Sequence, residues 1–503
     1  MKKIINLILI LAFAMQFSAC SNWLEVLPEN AQPSDSYWQT KEELEATVAS
    51  GYVYTRDAVE ELMRWGELRG SDIYTTNSTY RAFQSFQLKA SDTKLCSWNS
   101  IYTIINLANT VIANADKVLA NDETLTEGAK NAYLTEMYFL RAYSYFTIYR
   151  NWEKAPLITI PYESDIISFK QPAASRNEIK EQIILDLKTA LNTGSAKEKY
   201  DGDEWRTKGR VTKWALLALL ADVYLWDENY EGTIDACDEI INATSAFRPV
   251  FVEDASRWGE IFNPGNSTGS IFEINYNTSQ LNPLGSLFGL SGSYFFTTEM
   301  NSDMILETME AGGPTTSIRS MYGAWNTTLG DEEYASSTTG TVWKYAMNEE
   351  RAGTTARPYR DCNYIIYRMA EVLLMKAEAL VMQGNYEDAM ALINKIRVRA
   401  NLEELEYTTQ QESEMLDCIL YERKIEFAAE GKRWYDLLRV GMRNDYQYRN
   451  KLISEVIANN STAKESWIRT VLSDDHALFL PISQTEIDNN DLLEQNPYYD
   501  VIN

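Results

Sequence analysis

Three glutamates near the C-terminus have a spacing that allows paired-carboxylate chemistry. Glu422, Glu426 and Glu430 lie four residues apart in the segment ILYERKIEFAAEGKRWYDLLRVG, so a helix would place them on one stripe. Two carboxylates at a fixed separation can act as the acid and the base of a glycoside hydrolase. Adjacent carboxylates also need cations, and Arg433 and Arg439 are the expected partners in a structural ion-pair network. We favour the structural network over catalysis.

Other residue types that support catalysis or metal binding are scarce. His476 is the only histidine, which excludes multi-histidine metal sites, and its place beside two acids indicates a surface turn rather than a catalytic base. Asp201, Asp203 and Glu204 in DGDEW could hold calcium, but a solvated acidic turn is the expected role. The cysteines after position 20 are widely spaced without a C-x-x-C motif, so we expect buried thiols. We predict no metal and no cofactor.

The N-terminal segment predicts export and lipid attachment. Two lysines precede an apolar run, Ile4–Phe17, which is too short to span ~30 Å of hydrocarbon and fits the core of a signal peptide. The sequence FSAC, ending at Cys20, resembles a bacterial lipobox, whose cysteine carries the lipid anchor. An ordinary secretory signal with an unmodified cysteine is the alternative. We expect residues 1–19 to be removed and Cys20 to be acylated.

The negative charge of the chain argues against several classes of partner. The formal net charge is −26 at pH 7, and removal of residues 1–19 takes away two lysines and no acid, which gives −28. So acidic a surface repels nucleic acid and anionic membranes, and it disfavours polyanionic substrates unless basic residues cluster locally. The 13 Trp and 31 Tyr residues exceed the usual needs of a core and indicate exposed aromatic surface.

Two segments predict helical hairpins of the tetratricopeptide type. WALLALLADVYLWDENYEGTIDACDEIIN and VLLMKAEALVMQGNYEDAMALINKIRVRA each run an apolar helix into a turn and then into an amphipathic helix. The segments align on the turn tyrosines Tyr230 and Tyr386, with Gly384 in one turn and the atypical Glu228 in the other. AYLTEMYFLRAYSYFTIYR and NEIKEQIILDLKTALN form a third candidate pair. The elements that position the candidate residues are therefore predicted to be mostly helical.

Two inserts of different composition interrupt the helical segments. Residues 65–99 and 245–360 are rich in Gly, Ser, Thr, Asn and aromatic residues, and no helical period persists there. Long polar-aromatic segments in a compact domain usually form a functional surface held by the scaffold. We predict a mostly α fold with a few short strands, in one domain, 20–503. Helical hairpins, roughly 41–244 and 364–442, would carry the two loop-rich inserts.

Motifs along the chain occur in the order known from one family. They are Cys20 with LEVLPENAQPSDSYWQTKEELEA, FLRAYSYFTIYRNWEKAPLI, YRMAEVLLMKAEAL, ERKIEFAAEGKRWYDLLRVG and LFLPISQTEIDNNDLLEQNPYY. With these motifs the chain resembles the SusD/RagB family of outer-membrane nutrient-binding lipoproteins from Bacteroidetes. The resemblance implies a non-enzymatic, surface-exposed lipoprotein that captures oligosaccharides and delivers them to a SusC-type TonB-dependent transporter. A peptide-binding member of the family, a secreted glycoside hydrolase and a scaffold that binds only proteins are the alternatives.

A neutral sugar requires a flat apolar surface and a few planar hydrogen-bonding groups. Both inserts contain such residues. The candidate ligand-binding residues are Asp72, Tyr74, Asn77, Arg81 and Trp98 in the first insert and Tyr294, Phe296, Tyr322, Trp325 and Trp343 in the second. Trp98 could instead pack against the helix that follows it. Trp214, Trp226 and Trp434 lie on helical apolar faces and are expected in the core.

Overall fold

Helices make up most of the regular structure in the computed structural model, as the hairpin motifs predict. The structure describes residues 37–162, 168–288, 292–313, 316–320, 323–326, 340–346, 360–406, 411–460 and 462–500. The predicted signal peptide, 1–19, and Cys20 lie outside these residues. The α-helices are α1 (Lys41–Asp57), α2 (Val59–Glu67), α3 (Arg81–Gln84), α4 (Thr93–Cys96), α5 (Asn99–Asn121), α6 (Glu127–Asn151), α7 (Arg176–Asn192), α8 (Glu204–Lys208), α9 (Lys213–Trp226), α10 (Tyr230–Ile241), α11 (Thr298–Glu310), α12 (Met369–Met382), α13 (Tyr386–Arg399), α14 (Glu412–Glu426), α15 (Arg433–Tyr446), α16 (Arg449–Asn459), α17 (Glu465–Leu472), α18 (Gln484–Asn489) and α19 (Pro497–Asp500). The strands are β1 (Ile73–Thr75), β2 (Ala155–Pro156), β3 (Ala173–Ala174), β4 (Ser270–Ile274), β5 (Tyr294–Phe296), β6 (Trp325–Asn326), β7 (Gly340–Val342) and β8 (Tyr364–Arg368).

The predicted hairpins are present. Helix α9 packs against α10, α12 against α13, and α6 against α7. Tyr230 and Tyr386 begin the second helices of the first two pairs. Gly384 has φ +78 in its turn, and Glu228 has φ +56 in the matching turn. Glycine adopts this left-handed conformation without steric cost, so the first hairpin keeps the same turn geometry with a less suitable residue.

One large apolar core joins the helices from the start of α1 to the C-terminal α19. Trp214, Trp226 and Trp434 are buried in it, as predicted. A smaller cluster forms around Trp258 and Trp343. Burial of each such side chain contributes on the order of 1.5–3 kcal/mol, so the tryptophans in these clusters act as structural anchors. Among the described residues, no helix is both long enough and apolar enough to cross a lipid bilayer.

Both inserts contribute strands to one antiparallel sheet with the order β1–β5–β7–β6. Strand β1 comes from the first insert, and the other three come from the second. Tyr74 pairs with Phe295 across β1 and β5, and Phe295 pairs with Thr341 across β5 and β7. Because side chains alternate between the two faces of a strand, these three residues share one face. The sheet therefore joins two inserts that are far apart in sequence.

The second insert also contains a helix that its composition does not predict. Thr297 caps α11 by accepting a hydrogen bond from the Met300 N–H at 3.5 Å, which is the standard role of an N-cap threonine. Met300 and Met304 lie one turn apart and are buried. The insert is thus less irregular than its Gly, Ser and Thr content suggests, and α11 supports the end of β5.

Candidate functional site

The sheet formed by the two inserts presents aromatic surface on one side. Tyr74 and Phe295 are both half-buried, and their rings stack with centroids 5.5 Å apart at an interplanar angle of 28°. Thr341 continues this face on β7. We call the surface of Tyr74, Phe295 and Thr341 the aromatic face. Stacked rings of this kind offer the flat apolar surface that the C–H side of a sugar ring requires.

A groove lies beyond the C-terminal end of β1. Its lining residues come from segments 78–92 and 462–467, and its volume is about 900 Å³. We call it the Trp467 groove; its lining residues are Ser78, Thr79, Arg81, Ala82, Ser85, Gln87, Lys89, Asp92, Thr462, Ala463, Lys464 and Trp467. Trp467 is 37% exposed, and its Nε1–H donates to the Ser85 carbonyl at 2.8 Å. The indole is therefore held in place while part of its surface stays open to the groove.

A tight turn connects the aromatic face to the groove. The Asn77 N–H donates to Thr75 Oγ1 at 3.1 Å, and Asn77 Oδ1 accepts from the Thr79 N–H at 3.0 Å. The Arg81 N–H donates to the Asn77 carbonyl at 3.2 Å and so begins α3. An asparagine side chain that accepts from the backbone two residues later is a common turn device. Asn77 thus shapes the turn that places the exposed Arg81 at the groove.

The groove carries local positive charge on an acidic protein. Arg81, Lys89 and Lys464 line it together with one acid, Asp92. The Asp92 carboxylate accepts a hydrogen bond from the Lys89 N–H at 2.9 Å. Guanidinium and ammonium groups donate readily to hydroxyl and carboxylate oxygens. The arrangement therefore suits a polar ligand, and its local charge does not repel an anionic one.

Five of the predicted ligand-binding residues are buried and offer no surface to a ligand. Asp72 is buried as the ion-pair partner of Arg433, with its Oδ2 2.5 Å from Nε. Burial raises the pKa of Asp72, although Arg433 opposes this. Trp98 packs edge-to-face on Tyr102 of α5 and on Trp152, at 5.6 and 5.7 Å. The expectation that Asp72 and Trp98 contact ligand is therefore wrong, because Asp72 is sealed in an ion pair and Trp98 is part of the apolar core.

The other three buried residues lie on the inner sides of strands or beside them. Tyr294 and Phe296 flank Phe295 and point away from the aromatic face into the core. Trp343 follows β7 and is buried in the smaller apolar cluster. The prediction that these three contact ligand is wrong. Strand alternation turns Tyr294 and Phe296 inward and Phe295 outward, whereas Trp343 lies past the end of β7 and is buried in the smaller cluster. Phe295 and Trp467 are thus the surface aromatic residues of the candidate site that the sequence analysis did not select.

Two further predicted residues are only partly covered by the structure. Tyr322 lies outside the described residues. Trp325 begins strand β6, whose partner is Val342 on β7. Its backbone therefore belongs to the same sheet as the aromatic face. Ligand contact by Tyr322 and Trp325 stays a prediction.

The stripe of three glutamates is sealed inside the protein. Glu422 and Glu426 lie on α14, whereas Glu430 follows the end of that helix. All three side chains are at most 2% exposed. Arg433 and Arg439 are not their partners: Arg433 pairs with Asp72 and Glu455, and Arg439 pairs with Glu378 and Asp436. These carboxylates cannot reach a glycosidic bond, so the structural role is the correct one.

Cations from distant segments hold the stripe. Arg319 contacts Glu422 and Glu426 at 2.5 and 3.1 Å. Arg368 contacts Glu426 at 2.6 Å and Glu430 at 2.9 Å. Among the described residues, Arg399 also contacts Glu426 at 2.5 Å, Lys344 contacts Glu430 at 2.8 Å and Arg397 lies 3.8 Å from Glu422. Arg319 and Lys344 belong to the second insert, so this network fastens the insert to the helical scaffold.

The other candidate chemical residues have structural roles. His476 Nδ1 lies 2.6 Å from Glu153 Oε2 at the surface. Asp203 Oδ1 accepts from the Arg206 N–H at 3.2 Å and caps α8. Among the described residues, no group of three or more His, Cys, Asp or Glu residues is arranged to bind a metal. Cys96, Cys237 and Cys362 are buried, in line with the expected core role, whereas Cys418 is only partly buried.

Comparisons with known proteins place this geometry in a family. A model described as SusD family matches residues 284–499, and one described as "Starch-binding associating with outer membrane" matches residues 22–225. The SusD-like protein P38 of Formosa agariphila is 27% identical over 497 residues, which cover 87% of this chain and 92% of the relative.

Solved structures agree in fold. A SusD superfamily protein from Bacteroides fragilis has a TM-score of 0.73 at 20% identity and covers 92% of this chain and 100% of its own. A structure titled "Laminarin binding SusD-like protein" has a TM-score of 0.69 at 21% identity, with 92% and 100% coverage. The two family models match opposite halves of the sequence, and the relatives align over most of it. The chain therefore belongs to the SusD/RagB family.

Proposed function

We propose that this protein is a surface-exposed, lipid-anchored binding protein of the outer membrane that captures oligosaccharides and delivers them to a SusC-type TonB-dependent transporter. The observation that carries the proposal is the aromatic face of Tyr74 and Phe295 beside the Trp467 groove. The description of the matching family model as starch-binding and the laminarin-binding relative support a glycan as the ligand class. The proposed role is non-catalytic, because the carboxylate stripe is sealed in an ion-pair network.

The proposed binding mode divides the ligand between two surfaces. A sugar ring would lie on Tyr74 and Phe295 with its apolar C–H side toward the rings. Neighbouring sugar units would extend toward Arg81 and Trp467, where the guanidinium and the indole supply a hydrogen-bond donor and a second apolar surface. Recognition of this kind combines apolar contact with a small number of polar groups that fix orientation.

The test is isothermal titration of the purified protein with laminarin and starch oligosaccharides. Replacing a central aromatic contact typically costs about 2 kcal/mol of binding free energy, which corresponds to about a 30-fold weaker Kd. We expect such losses for Phe295→Ala and for Trp467→Ala. Trp205→Ala is the matched control, because Trp205 is 45% exposed but lines neither the aromatic face nor the groove.

The alternatives predict different results. New reducing ends after incubation of oligosaccharides with the protein would establish a hydrolase and overturn the non-catalytic role. Binding of peptides but of no glycan would favour the peptide-binding alternative. Binding of neither, together with tight association with a large barrel protein, would favour a scaffold that binds only proteins. Delivery itself predicts that the tagged chain co-purifies with a SusC-type transporter from outer membranes.

A further inference from the structure

A second pocket lies on the helical scaffold, between α1, α8 and the end of β4. Its volume is about 280 Å³, and none of its lining residues belongs to the aromatic face or to the Trp467 groove. The lining residues are Glu45, Ala49, Tyr52, Val53, Arg56, Trp205, Arg206, Gly209, Arg210, Ile274, Asn275 and Gln280. We call it the Trp205 pocket. Its size is at the lower end for small-molecule sites and matches a ligand with a single ring.

The walls of the Trp205 pocket are mainly apolar. Trp205 is 45% exposed and Val53 is 43% exposed, and Tyr52, Ala49 and Ile274 complete the apolar lining. The Asn275 Nδ2–H donates to the main-chain carbonyl of Trp205 at 2.6 Å and so fixes the backbone that carries the indole. A large exposed aromatic side chain offers a flat surface for a ligand ring.

The rim of the pocket carries positive charge that the protein does not neutralise. Arg210 is paired with Glu136 at 2.7 Å and lies 3.9 Å from Glu45. The Arg56 guanidinium donates to the neutral Gln280 side chain at 2.8 Å. Among the residues that the structure describes, neither Arg56 nor Arg206 has a carboxylate within 4.0 Å. Two unpaired guanidinium groups at one apolar pocket stand out on a chain of net charge −26, and they favour an anionic ligand.

Two buried polar atoms at the pocket lack hydrogen-bond partners in the part of the chain that the structure describes. The Asn275 side chain is only 5% exposed, and its Oδ1 accepts no hydrogen bond from any residue that the structure describes. Arg56 Nε is likewise buried without an acceptor. A buried polar atom without a partner costs about 1–3 kcal/mol. Both atoms have almost no accessible surface, so a bound molecule would have to displace the pocket wall over them to donate to Asn275 Oδ1 and accept from Arg56 Nε and so recover this cost. The two atoms therefore favour a ligand with both a donor and an acceptor.

We propose that the Trp205 pocket is a separate binding site for a small organic carboxylate with a flat apolar ring and one hydrogen-bond donor. The carboxylate binds Arg56 and Arg206, the ring lies against Trp205 and Val53, and the donor reaches Asn275 Oδ1. The guanidinium fork matches the two oxygens of a carboxylate, and a carboxylate can be attached directly to a small apolar ring. The site is independent of the proposed oligosaccharide site.

The experiment is isothermal titration of the full mature chain with 4-hydroxyphenylacetate, which has the carboxylate, the ring and a hydroxyl donor. We expect saturable one-to-one binding. The neutral 4-hydroxyphenylacetamide should bind at least tenfold more weakly because it lacks the charge, and phenylacetate should bind more weakly because it lacks the donor. Failure of 4-hydroxyphenylacetate to bind, or equal binding of the amide, would overturn the proposal. Binding of glucuronate in preference to 4-hydroxyphenylacetate would refute the proposal that the ligand carries an apolar ring.

Variants assign the binding to the pocket. Arg206→Met and Trp205→Leu alter exposed side chains, so the fold should be retained, and each should weaken binding at least tenfold. Trp467→Leu is the matched control and should leave carboxylate binding unchanged while weakening glycan binding. Unchanged carboxylate affinity in both pocket variants would place the ligand elsewhere and refute the site. Because the two tryptophans report on different ligands, failure here is distinguishable from failure of the proposed glycan function.

Discussion

Removing the Glu426 carboxylate should strongly destabilise the fold, and it should abolish no catalytic activity. Glu426 is fully buried, and three guanidinium groups, from Arg319, Arg368 and Arg399, lie within 3.1 Å of its oxygens. Burial alone would raise the pKa of Glu426, but the three arginines outweigh it and hold the pKa well below its usual value. In Glu426→Ala these guanidinium groups would remain buried beside too few carboxylates.

The expected loss follows from this burial. Breaking a buried ion pair by removing one partner typically costs about 3–5 kcal/mol, and Glu426 serves three partners. We therefore expect Glu426→Ala to lower the free energy of unfolding by at least about 3 kcal/mol, a large part of the roughly 5–15 kcal/mol of a typical domain. Glu426→Gln keeps the volume and one acceptor and should lose less than Glu426→Ala.

Guanidinium chloride titration followed by circular dichroism measures this loss. The matched control is Glu465→Gln, which breaks the exposed pair between Glu465 and Arg469 at 2.9 Å and should change the stability by no more than about 0.5 kcal/mol. A loss below about 1 kcal/mol for Glu426→Ala would refute the structural role of the stripe. So would a turnover of oligosaccharides by the wild type that disappears in Glu426→Gln.

Three further predictions follow from backbone geometry, titration and the N-terminal motif. Gly431→Ala should destabilise the protein by at least about 1–2 kcal/mol in thermal unfolding, because Gly431 has φ +73 and a Cβ would lie 2.5 Å from Tyr364 Oη. Gly128→Ala is the control and should not destabilise the protein, because a Cβ there would meet nothing within 4 Å. Burial alone would raise the pKa of Glu378, but Arg439 and Arg443 hold it well below its usual value; its stabilisation is then complete above the unfolded pKa of about 4.5 and is lost as the pH falls below it. The free energy of unfolding should therefore decrease from about pH 5 to about pH 3, and an equally steep decrease in Glu378→Gln would contradict this origin. Cys20→Ala should move the protein from the membrane fraction to the soluble fraction of lysed cells without changing glycan affinity, and retention in the membrane fraction would contradict lipid anchoring.

The helical part of the fold could be predicted because its signals are local. Apolar periodicity and the Asn-Tyr turns identify the hairpins α9–α10 and α12–α13, and these helices form as expected. Helix α11 was missed because the surrounding Gly, Ser and Thr residues hide its period. The Thr297 cap and the spacing of Met300 and Met304 were the available signals.

The site could be predicted only by region. Both inserts do meet in one sheet, but the choice of Tyr294 and Phe296 was one residue out of phase with Phe295, and a shift of one residue reverses the face of a strand. In YFF all three residues are aromatic, so alternation of polarity could not reveal the phase. Trp467 was missed because it lies far along the chain from both inserts.

The partners of the glutamate stripe were also beyond local reasoning. Arg433 and Arg439 are near in sequence, whereas the actual partners Arg319, Lys344 and Arg368 come from other segments. Ion pairing within one helix depends on spacing that can be counted, but pairing between segments depends on the tertiary fold. The motif therefore indicated a buried network and could not indicate what the network holds together.

The most direct test of the proposed function is a crystal structure of the protein with a bound laminarin or starch oligosaccharide. We predict a sugar ring stacked on Tyr74 and Phe295, with further units in the Trp467 groove within hydrogen-bond distance of Arg81. An oligosaccharide bound only elsewhere, with the aromatic face and the groove empty, would contradict the proposal.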